Sequence, residues 1–271
     1  MTATSTLVPV EERGWRMGFA NLLRNENLEW WGGRRWLKQA GLWLLVLNGM
    51  LAILLWVLPA VMEVTWDDNA GVMSHIAMGC QAFFQLGALS LAIGTIILAQ
   101  GEIIGERQTG ITAWILSKPV ARPAYFLSKI VAHSIGIIVI MVGFQSAVAY
   151  GLIWLANGSA LPLLPFLIGV GGLIVHTFFY LTLTLMMGVF ARTRGLVLGV
   201  AMGSLFGGMF LPDLIRELGL VTPWSLPDII RQLVMQIQLP FTTAFMPILM
   251  TAMWSIVFII AALWKLSRLE F

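Results

Sequence analysis

The residues best suited to proton transfer, metal ligation or nucleophilic attack are three histidines, His75, His133 and His176, and a single cysteine, Cys80. A relay or ligand histidine needs a carboxylate or carbonyl to fix its tautomer, and a proton path needs ionisable groups at a shared depth in the membrane. These histidines do not meet those terms: His75 opens one apolar run, His133 lies near the start of another on the opposite side, and His176 sits midway through a third. None has a carboxylate beside it in sequence, so packed or interfacial roles are expected for all of them. Cys80 alone forms neither a thiolate cluster nor an intrachain disulfide. HExxH, GxSxG and GxxxxGK[ST] are missing from the chain, so zinc hydrolysis, serine acyl transfer and nucleotide binding lack their usual residues. The expectation is no catalytic residue and no metal site.

The elements that would carry any other chemistry follow from composition. Of 271 residues, 59% are hydrophobic and 11% charged, against about 45–50% and about 25% in a soluble domain. An apolar helix of roughly 20 residues crosses a bilayer core of about 30 Å. Six runs qualify by composition: 38–62, 74–99, 128–156, 161–190, 196–211 and 241–264, in which the only Lys, Arg, Asp or Glu residues are Lys38 and Lys129, both at run ends. The expected fold is an all-α polytopic membrane protein with six transmembrane helices, a single transmembrane domain over 1–271. Residues 1–37 form one tail, 38–264 the spans and 265–271 the other tail. The start is polar through Leu37 and lacks the short apolar region of a cleavable signal peptide. No stretch of about 100 residues remains for a soluble catalytic domain, which excludes an on-board ATPase or kinase.

Fourteen of the 16 basic residues fall on one side of this arrangement: Arg13 to Lys38 in the first tail and at the start of the first run, Arg107, Lys118, Arg122 and Lys129 between the second run and the start of the third, Arg192 and Arg194 after the fourth, Lys265 and Arg268 after the sixth. Glu63, Asp67 and Asp68 lie opposite, with Arg216 and Arg231. Basic loops stay cytoplasmic, so the chain is expected in the cell membrane with both termini on the cytoplasmic side. Positive charge spread over four segments is an orientation signal and not a nucleic-acid patch.

Three stretches are not simple spans. Residues 13–36 place Trp15, Phe19 and Leu22 on one helical stripe among basic residues, which reads as an interfacial helix in contact with lipid, or as one packed beneath the bundle. The run 196–211 would rise only about 24 Å. Within it Gly195, Gly199, Gly203 and Gly207 recur every fourth residue; such a stripe serves a subunit interface or a moving seam, or ordinary packing inside one bundle. Residues 212–218 and 227–238 then carry two short helical patterns, the second with Ile229, Ile230, Leu233, Val234 and Ile237 on one face. They read as re-entrant helices dipping into the outer leaflet.

The segment GEIIGERQTGITAWILSKPVAR, residues 101–122, is too charged to insert and follows the second run without a flexible linker. A push on it would move that run as a lever. With no charge inside the spans to couple an ion, any work across the membrane draws its energy from a partner.

Residues 106–122 resemble the signature of type-2 ABC transporter permeases. Glu106, Arg107, Gly110, Leu116, Ser117, Pro119, Val120 and Arg122, then Tyr125 and Lys129, stand at the family's spacing, while Gln108, Thr109 and Ile111 depart from its usual Glu, Ser and Thr. The resemblance implies a membrane subunit of an ABC exporter that pairs with a second permease subunit, identical or not, and with two copies of an ABC ATPase, on which ATP and magnesium are bound. Glu106, Arg107, Thr109, Gly110, Trp114, Leu116, Ser117, Pro119 and Arg122 would then form the ATPase coupling site, with Trp114 and Leu116 as apolar anchors. Gly195, Gly199, Gly203 and Gly207 would line a subunit interface or the pathway. An apolar, weakly charged pathway would suit a cargo that is amphipathic, a lipid, a drug or a peptide. Two other classes remain: an ATP-independent six-span carrier or channel, and a membrane-embedded enzyme acting on lipid.

Overall fold

The computed structural model describes residues 14–62, 75–211, 215–237 and 239–269. Arg13, the acidic loop with Glu63, Asp67 and Asp68, Pro212, Asp213 and Gln238 lie outside the described residues. Among those described, all regular structure is helical. A short 3-10 turn, Gly14–Arg16, leads into α1 (Phe19–Trp31). Helix α2 (Arg35–Val61) contains π-helical stretches at Leu44–Gly49 and Ile53–Val57. Then come α3 (His75–Ala99), α4 (Ile104–Gln108), α5 (Ile111–Leu116), α6 (Arg122–Asn157) and α7 (Leu163–Phe190). Helices α8 (Arg194–Gly207), α9 (Arg216–Val221), α10 (Leu226–Val234) and α11 (Phe241–Ser267) complete the chain.

Five helices are long and apolar enough to cross a bilayer: α2, α3 with its continuation through α4, α6, α7 and α11. The expected fifth span is α8, whose 14 residues rise about 21 Å and fall short of a crossing by themselves. Its inward face is Val197, Ala201 and Leu205, all buried at helical spacing. The third expected span begins earlier than its apolar run, at Arg122, because Pro123 suits a first helical turn and Lys129 is buried in partnered form inside the helix.

Helix α7 is the axis of the bundle, packed against α3, α6, α8, α10 and α11. Its glycines set how closely α10 approaches. A Cβ at Gly169 would come within 2.4 Å of Val234, and one at Gly172 within 2.5 Å of Ile230, so the apolar face of α10 seats directly on bare backbone. Ile229, Ile230 and Val234 are buried there, whereas Ile237 is exposed. Between α2 and α6, buried Asn48 donates to Gln145 Oε1 at 2.8 Å, and Gln145 Nε2 donates to the Ala40 carbonyl at 3.2 Å. Amide hydrogen bonds of this kind hold helices together where water does not compete.

Candidate functional site

The segment after α3 is joined to it through a turn at residues 100–103 that is held by backbone hydrogen bonds. Gln100 N–H reaches the Ile96 carbonyl, Glu102 reaches Ala99, Gly105 reaches Gly101 and Arg107 reaches Ile103. Helix α4 is therefore a stiff continuation of a span. Gly110, at φ +76°, makes the left-handed turn into α5 that a residue with a Cβ adopts only under strain.

Glu106 and Arg107 are neighbours in sequence and part company in space. Glu106 accepts from Lys129 Nζ at 2.8 Å and from the Tyr125 hydroxyl at 2.6 Å, both on α6. Tyr125 in turn meets the Thr112 hydroxyl of α5 at 3.2 Å. Arg107 turns the other way and donates to the carbonyls of Gly188, Val189 and Ala191 at 3.2, 2.7 and 3.3 Å. Those carbonyls end α7, where unpaired acceptors and the helix dipole favour a cation. Arg122 does the same for α11, donating to Leu266 and Ser267 at 3.1 and 2.7 Å. The arginines of the segment thus each cap the end of a different long helix on the basic face.

The remaining predicted residues divide between support and surface. Thr109 Oγ1 donates to the Gly105 carbonyl at 3.0 Å and Ser117 Oγ to Trp114 at 2.8 Å, closing α4 and α5. Leu116 is half-buried against the core. Pro119 is exposed in the turn to α6, and the adjoining Ala121 N–H donates to the Met17 carbonyl at 2.9 Å. Gly18, at φ +80°, leaves room for Val120. Trp114 stands out from all of these at 62% exposed, next to exposed Ile111, with Lys118 Nζ 3.3 Å from the centre of its ring.

Sequence reading missed the buried charges beneath this platform. Lys129, 1% exposed, donates to Glu26 of α1 at 2.7 Å as well as to Glu106. Burial pushes the Glu26 carboxyl above its usual range, the largest effect, while Lys129 pulls it back. Arg35 Nη2 lies 3.4 Å from Glu102, and His133 Nε2 lies 3.3 Å from the same carboxylate oxygen. The expectation that no carboxylate accompanies His133 is thus corrected: Glu102 lies far off in sequence and is brought there by the turn after α3. Carboxylate oxygens of Glu26 and Glu102 and a ring nitrogen of His133 lie within 4.8 Å of one another, the spacing of a cation site, but Lys129 and Arg35 already supply positive charge to both carboxylates. Glu26 sat in the interfacial segment and Lys129 in the motif, yet only long-range packing shows that they meet.

The stripe on α8 faces away from the rest of the described residues. Nothing lies within 4 Å of a Cβ built at Gly195, Gly199 or Gly203, and Gly207 meets only Leu211 at 3.7 Å. Packing inside this bundle is therefore not what the stripe serves among the described residues.

Residues 62–270 match the family described as ABC-2 family transporter protein. No curated protein matches the chain.

Proposed function

The chain belongs to the ABC-2 transporter family, and from that premise we propose that it is the permease subunit of an ABC exporter, with α4 and α5 as the element on which a separately encoded ATPase seats. The family is a membrane component of transporters and is not itself the catalyst. ATP and magnesium belong on the partner, in two copies, bound beneath a pair of permease subunits in the cell membrane, with both termini cytoplasmic.

The observation that carries this reading is the contrast within one short element. Trp114 and Ile111 are exposed, while Glu106, Arg107 and Thr112 fix the same element to α6 and α7. An apolar patch on a rigid mount is what transmitting force from a partner requires, because a flexible mount would absorb the push. α1 lies along the same face as an interfacial helix, α9 and α10 form the outer re-entrant pair, and α8 supplies the sixth, incomplete crossing. The unoccupied glycine face of α8 suits the second subunit or the pathway. Spans whose interior charge, Lys129, is paired with Glu26 and Glu106 fit an amphipathic cargo moved by a borrowed motor.

Trp114→Ala tests the reading, since an exposed side chain can be removed without disturbing insertion or folding. The expected result is a normally inserted permease that no longer co-purifies with its ATPase or stimulates ATP hydrolysis. Unchanged co-purification and stimulation would reject the docking assignment. Substrate movement by the purified chain alone would favour an ATP-independent carrier.

A further inference from the structure

The turn before α1 and the end of α11 are tied to the same two residues at the start of α6. Ala121 N–H donates to the Met17 carbonyl at 2.9 Å, and the next residue, Arg122, donates to the Leu266 and Ser267 carbonyls at 3.1 and 2.7 Å. This junction has Trp15 and Arg16 on one side and Trp264, Lys265 and Arg268 on the other. On both sides a guanidinium lies over an indole: Arg16 Cζ is 5.1 Å from the centre of the Trp15 ring and Arg268 Cζ is 4.3 Å from that of Trp264. Stacking occupies the face of a guanidinium and leaves its in-plane N–H groups open. Among the described residues neither arginine donates a hydrogen bond or meets a carboxylate. A cleft of about 390 Å³ runs along Trp15, Arg16, Phe19 and Ala20.

The acidic residues described on this face are already engaged elsewhere, Glu26 and Glu106 with Lys129, Glu29 and Glu102 with Arg35. Glu11, Glu12 and Glu270 lie outside the described residues. Trp264 also belongs to a row on the surface of α11, one of the helices long and apolar enough to cross a bilayer. Met253, Val257, Ile260 and Trp264 are all exposed at helical spacing, and Arg268 continues the row by one turn. From Met253 to Trp264 the helix rises about 16 Å, about half of a bilayer core of about 30 Å. An exposed row of this length faces the acyl chains of one leaflet, with its tryptophan where chains give way to headgroups and its arginine among the phosphates.

We propose that this junction binds an anionic phospholipid, its acyl chains along the α11 row and its phosphate held by Arg268 and Arg16. A zwitterionic lipid would set its ammonium among cations with no carboxylate to receive it, so the site selects a headgroup of net negative charge. An acidic face of a protein partner would satisfy the arginines but leave the apolar row uncovered. That the lipid comes from the cytoplasmic leaflet rests on the orientation proposed above; the preference for an anionic headgroup does not.

Native mass spectrometry of the full chain in detergent, titrated with dioleoyl phosphatidylglycerol or dioleoyl phosphatidylcholine, reads the affinity for the first lipid bound. Phosphatidylglycerol is expected to bind about tenfold more tightly than phosphatidylcholine. Arg16→Gln combined with Arg268→Gln is expected to remove the difference, and Arg16→Lys combined with Arg268→Lys to keep part of it. Arg34→Gln combined with Lys38→Gln removes the same charge from the exposed start of α2 and is expected to leave the preference in place. Equal affinities for the two lipids in the native chain overturn the proposal. An equal loss in the Arg34 and Lys38 variant does so too, since the preference would then follow overall charge and not a site. Displacement of the bound lipid by millimolar glycerol phosphate, which has no acyl chains, would reveal an anion site and reject the lipid as its occupant. Glutamine variants that keep the lipid preference but lose the partner ATPase would give the patch to that protein instead. The titration contains no ATPase, so a failure of the docking reading leaves its result intact. Labelling of Ser267→Cys in sealed cells by a membrane-impermeant thiol reagent would overturn the cytoplasmic leaflet and the proposed orientation together.

Discussion

Lys129 Nζ meets Glu26 Oε1 at 2.7 Å although 103 residues separate them, and this contact joins α1 to α6 beneath the segment 104–116. Removing one member of such a buried cluster leaves its partners charged and unpaired, which costs about 3–5 kcal/mol, whereas removing all the charges together is often close to neutral. Lys129→Met is therefore expected to lower the unfolding temperature in detergent sharply. Glu26→Gln and Glu106→Gln added to it should restore most of the loss. If the triple variant is no more stable than the single one, the cluster is not the source of the effect.

The raised Glu26 carboxyl gives a pH dependence whose sign is fixed. A carboxyl whose folded-state pKa lies above the ordinary value contributes most when protonated, and that contribution is lost as pH rises through the folded pKa. Glu26→Gln is neutral at every pH. The stability of the native chain relative to Glu26→Gln is expected to fall as pH rises from the ordinary carboxylate range toward neutrality. Thermal unfolding of both chains across that range checks it, and an opposite slope would show that Lys129 outweighs burial.

Arg107 donates to three carbonyls at the end of α7, and hydrogen bonds from a charged group are worth about 1.5–3 kcal/mol each when their loss leaves the partner unsatisfied. Arg107→Lys keeps the charge but not the planar guanidinium whose Nη1 reaches all three acceptors. Both Arg107→Ala and Arg107→Lys are expected to speed amide exchange over residues 188–194, the alanine variant more. Equal exchange in all chains would mean that the cap is not formed in the membrane.

Much of this arrangement was legible beforehand, and the rest has a definable reason for being hidden. Apolar runs report helices because each is a local property, so α2, α3, α6, α7 and α11 fall close to the expected spans. The ends of runs misled where charge is buried in pairs: Lys129 looked like a boundary and is an interior residue. His133 looked isolated for the same reason, since Glu102 reaches it through tertiary packing alone. Motif spacing found Arg107 and Arg122, but not that each would close the end of another helix. Glycine periodicity on α8 was visible, while the direction in which it faces required the packing of Val197, Ala201 and Leu205.

Glycines on α7 and α8 supply a matched pair of substitutions that separates packing within the chain from packing between chains. At Gly172 a Cβ would lie 2.5 Å from Ile230, a stiff β-branched neighbour. Overpacking of that kind costs about 1–3 kcal/mol, so Gly172→Ala is expected to lower the unfolding temperature and Ile230→Ala to rescue it. At Gly199 nothing lies within 4 Å. Gly199→Leu should therefore leave the unfolding temperature of a monomeric preparation almost unchanged, within the roughly 0.5 kcal/mol typical of surface changes. Its expected effect is on association: crosslinking or single-molecule counting in nanodiscs should show fewer paired permeases, because a leucine at the stripe holds the facing backbone away. Unaltered pairing with reduced ATPase-driven transport would place the stripe on the pathway instead, and unaltered pairing with unaltered transport would remove it from both roles.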